Sequence, residues 1–149
     1  MPSRSGRMAA MASVTIKGVL VHDGLVLLGR NPRHEWELLG GQPDAADTSV
    51  ADTLVREFRE ESGLVVAVGR LVLADLFEVI PGRRVVVVAF SVVVVTSPEP
   101  TSVEPGGPEP HHATEHHHAP EHSALRWFPL VELPKALPEI YRRAIDAAI

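Results

Sequence analysis

Three glutamates close together in one segment are the residues whose type and spacing are best suited to chemistry. Glu57, Glu60 and Glu61 occupy the second half of a predicted helix. On a helical wheel, Glu57 and Glu61 continue the stripe that begins with Val50 and Leu54. If Val50 and Leu54 face the core, these two carboxylates are at least partly buried.

A solvated acidic helix end is the alternative interpretation of this cluster. It predicts charges opposite the apolar stripe and basic residues in the last turn, whereas the last turn here carries Glu60 and Glu61. Buried carboxylates are costly unless they gain a partner. Hard divalent cations suit oxygen ligands, so the cluster predicts a metal site, with Mg²⁺ as the first choice and Mn²⁺ as the alternative.

The helix that carries the glutamates has recognisable ends. It is predicted from Ser49 to Ser62, because Ser49 and Asp52 match the Ser-x-x-Asp form of a capping box and Gly63 is a suitable stop. A loop from Gln42 to Thr48 precedes it.

The rest of the chain predicts an α/β fold with a mixed β-sheet. The stretch from Val85 to Val95 is too short for a membrane helix, which needs about 20 residues, and its β-branched residues favour a buried strand. The predicted elements are strands at Ser13–Val21, Leu25–Arg30, Leu64–Leu76, Arg84–Val95 and Ala124–Phe128, an extended piece at Trp36–Leu39 that ends at Gly40-Gly41, and a closing helix at Pro138–Ile149.

Composition limits the function classes. The 149 residues suit one domain, predicted over residues 13–149, after a disordered leader at 1–12 and with a flexible His/Pro-rich loop at about 96–122. The net charge of −5 disfavours a nucleic-acid polymer as partner. The absence of cysteine and of an apolar leader predicts a cytoplasmic protein without a membrane segment.

The segment Arg56 to Leu64, with the sequence REFREESGL, resembles the C-terminal half of the Nudix box, Arg-Glu-U-x-Glu-Glu-x-Gly-U, where U is a large aliphatic or similar residue. Upstream, Trp36 to Gly41 (WELLGG) is similar to the family's approach to the box. The order of elements also matches, so the resemblance implies a Nudix-like α/β/α sandwich with a mixed sheet.

The loop before the helix departs from the family pattern. Asp47 stands where the family has Glu, one extra residue lies between it and Arg56, and Leu39 replaces the usual Pro before the two glycines. In the family the loop Glu pairs with the box Arg. Here Asp47 is expected to pair with Arg56, although the side chain of Asp is shorter than that of Glu.

The resemblance implies hydrolysis of a nucleoside diphosphate linked to another moiety, with Mg²⁺ as cofactor. Glu57 and Glu61 would bind the ion, Glu60 would complete the cluster, and the carbonyl of Gly40 would be a further ligand. Arg56 would orient the carboxylates. The general base in the family is a box glutamate or an acid from a later loop, and Glu121 is the late-loop candidate.

Other residues carry weaker hypotheses. Arg30 and Arg33 are candidates for contacts with substrate phosphates, with exposed strand-edge charge as the alternative. A histidine-rich stretch could bind Zn²⁺ or Ni²⁺, although a biased loop without fixed ligand spacing is the favoured interpretation; its histidines are His111, His112, His116, His117, His118 and His122.

The leading functional prediction is a Mg²⁺-dependent Nudix-type pyrophosphohydrolase acting on a small nucleoside diphosphate derivative. The alternatives are a catalytically lapsed Nudix-fold domain that binds nucleotide or regulates, and a histidine-loop metal-storage or sensor protein. A homodimer is expected only because the family commonly forms one.

Overall fold

The computed structural model describes residues 12–95 and 122–149. In these ranges the chain forms strands β1 to β7 and helices α1 and α2. Their bounds are β1 Ser13–His22, β2 Leu25–Arg30, β3 Trp36–Glu37, β4 Leu39–Gly41, α1 Val50–Ser62, β5 Val66–Ile80, β6 Arg83–Val94, β7 Ala124–Pro129 and α2 Glu139–Ala148.

The strands form one mixed sheet with β1 at its centre. The main path runs β3-β2-β1-β6-β5, with β4 paired to β1 and β7 paired to β2. β1 and β6 are parallel, and the other pairings are antiparallel. β1 therefore carries β6 on one side and β4 on the other, which brings the Gly40–Gly41 segment against the middle of the sheet.

Each face of the sheet is covered by one helix. Leu54 and Phe58 of α1 pack with Ile16, Leu20 and other side chains of one face. Ile140 and Tyr141 of α2 belong to a second cluster, which contains Val19 of β1. Successive residues of β1 thus face opposite helices, as the alternation of a strand requires. The predicted α/β class with a mixed sheet is confirmed.

The ends of α1 follow the sequence signals, with one difference. The Ser49 hydroxyl accepts a hydrogen bond from Asp52 N at 3.0 Å, and Gly63, with φ of 75°, ends the helix through its N–H to Arg59 O. The reciprocal arm of the capping box reaches Thr48 instead of Ser49, since Asp52 Oδ2 accepts from the Thr48 hydroxyl at 2.6 Å. The cap extends one residue further upstream than the motif predicts.

The buried stripe of α1 differs from its prediction at the first turn. Val50 was expected to face the core but is 43% exposed, whereas Thr53 and Leu54 are fully buried. The Thr53 hydroxyl donates to Asp47 Oδ2 at 2.9 Å, so the start of the helix packs on its own preceding loop. A helical wheel gives the angular position of each residue around the helix axis. It does not show how far the sheet extends beneath the helix, and this decides whether the first turn is covered.

The Val85–Val95 stretch is a strand as predicted, but it is not buried throughout. Val87 and Ala89 are fully buried, whereas Val93 is 62% exposed and Val94 and Val95 are also exposed. β5 begins two residues later than predicted and continues to Ile80, next to the predicted Pro81-Gly82 turn. Pro138 is the N-cap of α2, outside its first turn.

Residues 1–11 of the predicted leader and residues 96–121 of the predicted His/Pro-rich loop lie outside the described residues. His122, which was assigned to that loop, is described and is buried, with 6% of the residue exposed. The flexibility of the loop itself stays a prediction. Among the helices of the described residues, none has the length and apolar character needed to span a membrane.

The contact between Gly18 and Phe58 generates a prediction about stability. A Cβ on Gly18 would come within 2.9 Å of the Phe58 ring, and overpacking a dense core typically costs about 1–3 kcal/mol. We expect Gly18→Ala to lower the free energy of unfolding by that amount in urea denaturation. In a Phe58→Leu background the same substitution should cost less, because the ring it meets is gone. An equal cost in both backgrounds would contradict this account.

Candidate functional site

The glycine strand β4 and helix α1 bring two carboxylates against one stretch of backbone. Glu61 Oε1 accepts a hydrogen bond from Gly40 N at 3.1 Å. The Glu57 carboxylate packs on Gly41, where an added Cβ would come within 2.6 Å of Glu57 Oε1. Glu57 is 7% exposed, and the side chain of Glu61 is 6% exposed. The burial predicted for these two glutamates from the wheel is observed.

Both glycines are required by close packing. Gly40 has φ of 142°, and a Cβ there would collide with the backbone of Ile16 on β1. Gly41 leaves the space that the Glu57 carboxylate fills. The resemblance assigns the carbonyl of Gly40 to a metal, whereas the structure explains why this residue is a glycine: the strand must lie directly on β1.

Arg56 links the loop before α1 to the glutamates on it. Its Nη2 donates to Asp47 Oδ2 at 2.9 Å and its Nε to Asp47 Oδ1 at 3.2 Å, a two-point contact. Its Nη1 donates to Glu57 Oε1 at 2.9 Å and to Glu60 Oε2 at 3.3 Å. The expected Asp47–Arg56 pair is therefore formed, and the same guanidinium also holds two of the box glutamates.

The ionisation of the pair follows from this geometry. The hydrogen bonds from Arg56 hold the pKa of Asp47 well below its usual range. The same bond to Asp47, with further contacts to Glu57, raises the pKa of Arg56 above its ordinary value. Both groups are charged at neutral pH, so the loop is fastened to the helix by an ion pair.

Glu60 differs from its two neighbours in exposure. Its side chain is 49% exposed, and it meets Arg56 one turn away. The structure thus brings Glu57 and Glu61 together at the buried glycine strand and leaves Glu60 at the rim.

A cleft of about 580 Å³ adjoins this cluster. Glu57 and Arg56 line it together with Gly40 and Gly41, and Arg33 and Arg83 add positive charge to its lining. Arg33 also bonds Glu35 through its Nε at 3.0 Å. Arg30 is not among the lining residues: it is exposed at the end of β2. Arg83, the first residue of β6, was not identified as a cleft residue from the sequence, because its place there depends on how β6 lies beside β1.

A buried polar network beside the cleft was not found from the sequence. Glu37 Oε1 lies 2.8 Å from His122 Nε2 and 3.7 Å from Lys17 Nζ. Glu37 Oε2 accepts from the Asn31 side chain at 3.2 Å. Burial opposes ionisation of Glu37, but the hydrogen bond from His122 and the charge of Lys17 prevail and lower its pKa to about 2. The indication of this network that the sequence offers is the presence of the polar residues Lys17 and Glu37 in predicted extended segments that are otherwise mostly apolar.

The cluster fits a divalent cation by charge and donor type. No three Asp, Glu or His side chains converge as a ready-made ligand set within residues 12–95 and 122–149. However, negative charges outnumber permanent positive charges around the glycine strand. The carboxylates are those of Glu37, Glu57, Glu60 and Glu61, and the cations beside them are Lys17 and Arg56. Carboxylate and backbone oxygens are the donors that Mg²⁺ prefers.

The remaining catalytic candidate, Glu121, lies outside the described residues. Its chain neighbour His122 is the first residue of the second described range, and His122 Nδ1 is 3.5 Å from Glu61 Oε2. The other histidines of the proposed metal-binding stretch also lie outside the described residues.

Comparison with solved structures gives the fold a context. A UDP-X diphosphatase superposes with a TM-score of 0.66 at 18% identity, over 93% of this chain and 61% of that chain. An ADP-ribose pyrophosphatase from Streptococcus suis gives 0.62 at 22% identity, over 93% and 90%. A MutT NUDIX hydrolase from Burkholderia pseudomallei gives 0.60 at 28% identity, over 93% and 99%.

The sequence of the chain matches a known domain family, although it matches no curated protein. No curated protein matches the sequence, and the chain spans 61% of the length of the UDP-X diphosphatase that it resembles. The profile of the NUDIX domain matches residues 11–148, nearly the whole chain. The predicted Nudix fold and Nudix hydrolase family are thereby confirmed, and the chain belongs to the NUDIX domain family.

Proposed function

We propose that this chain is a Mg²⁺-dependent pyrophosphohydrolase that cleaves a nucleoside diphosphate linked to another moiety, with Mn²⁺ as the alternative ion. The observation that carries the proposal is the burial of Glu57 and Glu61 on the backbone of the glycine strand, beside a cleft that also contains Arg33 and Arg83. Negative charge for a metal and positive charge for phosphate are thus adjacent.

Each residue has a role in the proposed reaction. Glu57, Glu61, Glu60 and the carbonyl of Gly40 would hold the ion, and Arg56 would restrain the carboxylates. When bound, the ion neutralises diphosphate charge and makes water a better nucleophile. Arg33 and Arg83 would contact the outer phosphate oxygens. Water adds to phosphorus while the anhydride P–O bond breaks and the leaving phosphate takes the electron pair. The proton of the water would pass to the general base, for which Glu121 is the candidate.

The names of the structural relatives support the substrate class. Both the UDP-X diphosphatase and the ADP-ribose pyrophosphatase are named for a nucleoside diphosphate joined to a second group. We extend to this chain the shared class, a small molecule rather than a nucleic-acid polymer. A homodimer and a cytoplasmic location stay predictions.

The proposed metal site predicts the effect of removing its charges. Glu57→Gln and Glu61→Gln should each weaken Mn²⁺ binding, measured by electron paramagnetic resonance, and lower turnover by more than the roughly 10–100-fold typical of outer-shell partners. Glu132→Gln, at an exposed turn, is the matched control and should change neither quantity.

A substrate panel separates this proposal from a catalytically lapsed domain. The panel contains ADP-ribose, nucleotide sugars, oxidised nucleoside triphosphates and dinucleoside polyphosphates, each with Mg²⁺. We expect hydrolysis of at least one compound, abolished by Glu61→Gln. If none is cleaved and Glu61→Gln leaves nucleotide binding unchanged, the lapsed binding or regulatory domain is the better description.

The proposal that Glu121 is the general base has its own test. Glu121→Gln should lower kcat by about 10²–10⁴-fold, the usual contribution of general acid–base catalysis, while Mn²⁺ affinity stays the same. Glu115→Gln, elsewhere in the same segment, is the control. Unchanged turnover in Glu121→Gln would remove Glu121 from the mechanism.

The Asp47–Arg56 pair predicts a pH-dependent contribution to stability. Because the folded-state pKa of Asp47 is depressed, its stabilisation is fully present above the unfolded-state pKa of about 3.9 and is lost as the pH falls toward the folded value. Asp47→Asn should therefore lower the urea midpoint at pH 7, and the difference should shrink below about pH 4.

The neighbouring Asp44→Asn provides the control for that measurement, since Asp44 is more exposed and lies 3.5 Å from Arg56 Nε. Its effect at pH 7 should be smaller. A difference between Asp47→Asn and the unmodified chain that persists unchanged at pH 3 would contradict the assignment.

A further inference from the structure

Lys17 is a buried positive charge in the wall of the cleft. Its side chain is 6% exposed, and it lines the cleft together with Gly40, Gly41 and Glu57. Its chain neighbour Ile16 belongs to the apolar core beneath α1. A lysine is rarely buried in a central strand unless a partner or a function requires its charge there.

The register of the sheet places Lys17 directly beside the glycine strand. Lys17 pairs with Gly40 of β4 across the antiparallel ladder. Gly40 N donates to Glu61 Oε1 at 3.1 Å, so the acidic cluster begins on the strand next to this lysine. Side chains of a strand alternate between its faces, and Thr15, two residues earlier, lines the same cleft. Lys17 therefore reaches the cleft from the face of β1 that is turned away from α1.

Glu37 restrains the Lys17 side chain. The two groups form an ion pair with Nζ 3.7 Å from Glu37 Oε1, a distance at which charge rather than a hydrogen bond joins them. Glu37 is held in turn by Asn31, whose side-chain nitrogen donates to Oε2 at 3.2 Å. The Asn31 side-chain oxygen accepts from the backbone N–H groups of Arg33 and Glu35 at 2.9 and 3.1 Å. Lys17 is thus positioned in advance, whereas Arg33, with 42% of its side chain exposed, loses more freedom when it binds an anion.

Two roles would explain a buried lysine at this position. Lys17 could only neutralise Glu37, or it could also offer its charge to a ligand in the cleft. Neutralisation is a weak explanation by itself, because an apolar pair of similar volume is often as stable as a buried ion pair. A diphosphate that extends from the acidic cluster toward Arg33 and Arg83 would lie in a cleft that Lys17 also lines.

We propose that Lys17 binds phosphoryl oxygens of a diphosphate in the cleft and that Glu37 is its positioning residue. The inference rests on the proposed function in one respect, that the cleft takes the diphosphate of a substrate. It adds to the site a cation of β1, a strand that precedes the nine-residue box motif in the chain.

A cycle of substitutions separates phosphate binding from neutralisation. Glu37→Gln removes the carboxylate and keeps the ammonium group, and Lys17→Met removes the ammonium group with little change in side-chain length. In the Glu37→Gln background Lys17 no longer neutralises Glu37, so an effect of Lys17→Met there is due to another partner. Lys135→Met, at an exposed lysine outside the cleft, is the matched control.

The probe is α,β-methylene-ADP, in which a carbon atom replaces the bridging oxygen so that the diphosphate is not hydrolysed. Its affinity for the full chain is measured by isothermal titration calorimetry with Mg²⁺ present. Mn²⁺ affinity, measured by electron paramagnetic resonance with the metal as the sole probe, shows whether a variant acts through the acidic cluster instead. Thermal melting followed by circular dichroism checks folding, and Lys17→Gln in the same background is measured as a second variant.

In the Glu37→Gln background, Lys17→Met and Lys17→Gln should each weaken binding of α,β-methylene-ADP about 10–100-fold, the loss of one hydrogen bond to a charged group. Mn²⁺ affinity should stay the same or rise, since a nearby positive charge is removed. Lys135→Met should match the unmodified chain in both measurements.

Three results would overturn the inference: no effect of the Lys17 substitutions in the Glu37→Gln background, a parallel loss of Mn²⁺ affinity, or no binding of the probe by the unmodified chain. Probe binding that depends on Lys17, in a chain that hydrolyses no diphosphate, would support the inference and contradict the proposed function. Hydrolysis together with probe binding that does not depend on Lys17 would do the reverse.

Discussion

The contact between the glycine strand and the carboxylates of α1 is the constraint on which the site depends. Gly40 can lie on β1 only because it has no side chain, and Gly41 leaves the space that the Glu57 carboxylate occupies. Two acidic groups are thereby buried next to backbone, where ionised carboxylates are costly without partners. The surrounding residues offset that cost: Arg56 binds Glu57, and Gly40 N binds Glu61.

Arg56 makes the site and the fold interdependent. Its guanidinium is shared between Asp47 of the loop and Glu57 and Glu60 of the helix. The capping contacts of Thr48 and Ser49 fix where the helix begins, and this sets how far Asp47 must reach. A shorter acidic residue in a loop with one extra residue still meets the guanidinium at two points. The irregular loop therefore preserves the pairing rather than disrupting it.

The sequence predicted features that depend on local spacing and missed those that depend on distant packing. The ends of α1, the turn at Pro81-Gly82 and the burial of Glu57 follow from rules that act over a few residues. The exposure of Val50 depends on the extent of the sheet beneath it. The place of His122 depends on partners at positions 37 and 61, which no periodicity connects.

The pairing of β1 also has a consequence for how this chain can change in evolution. Over Ile16 to Gly18, β1 is bonded to β4 on one side and to β6 on the other. Ile16 packs toward α1, whereas Lys17 lines the cleft beside Glu37. Adding or deleting one residue would exchange the two faces of the strand and bring Lys17 under the helix. β1 is therefore expected to diverge by substitution more readily than by a change in its length.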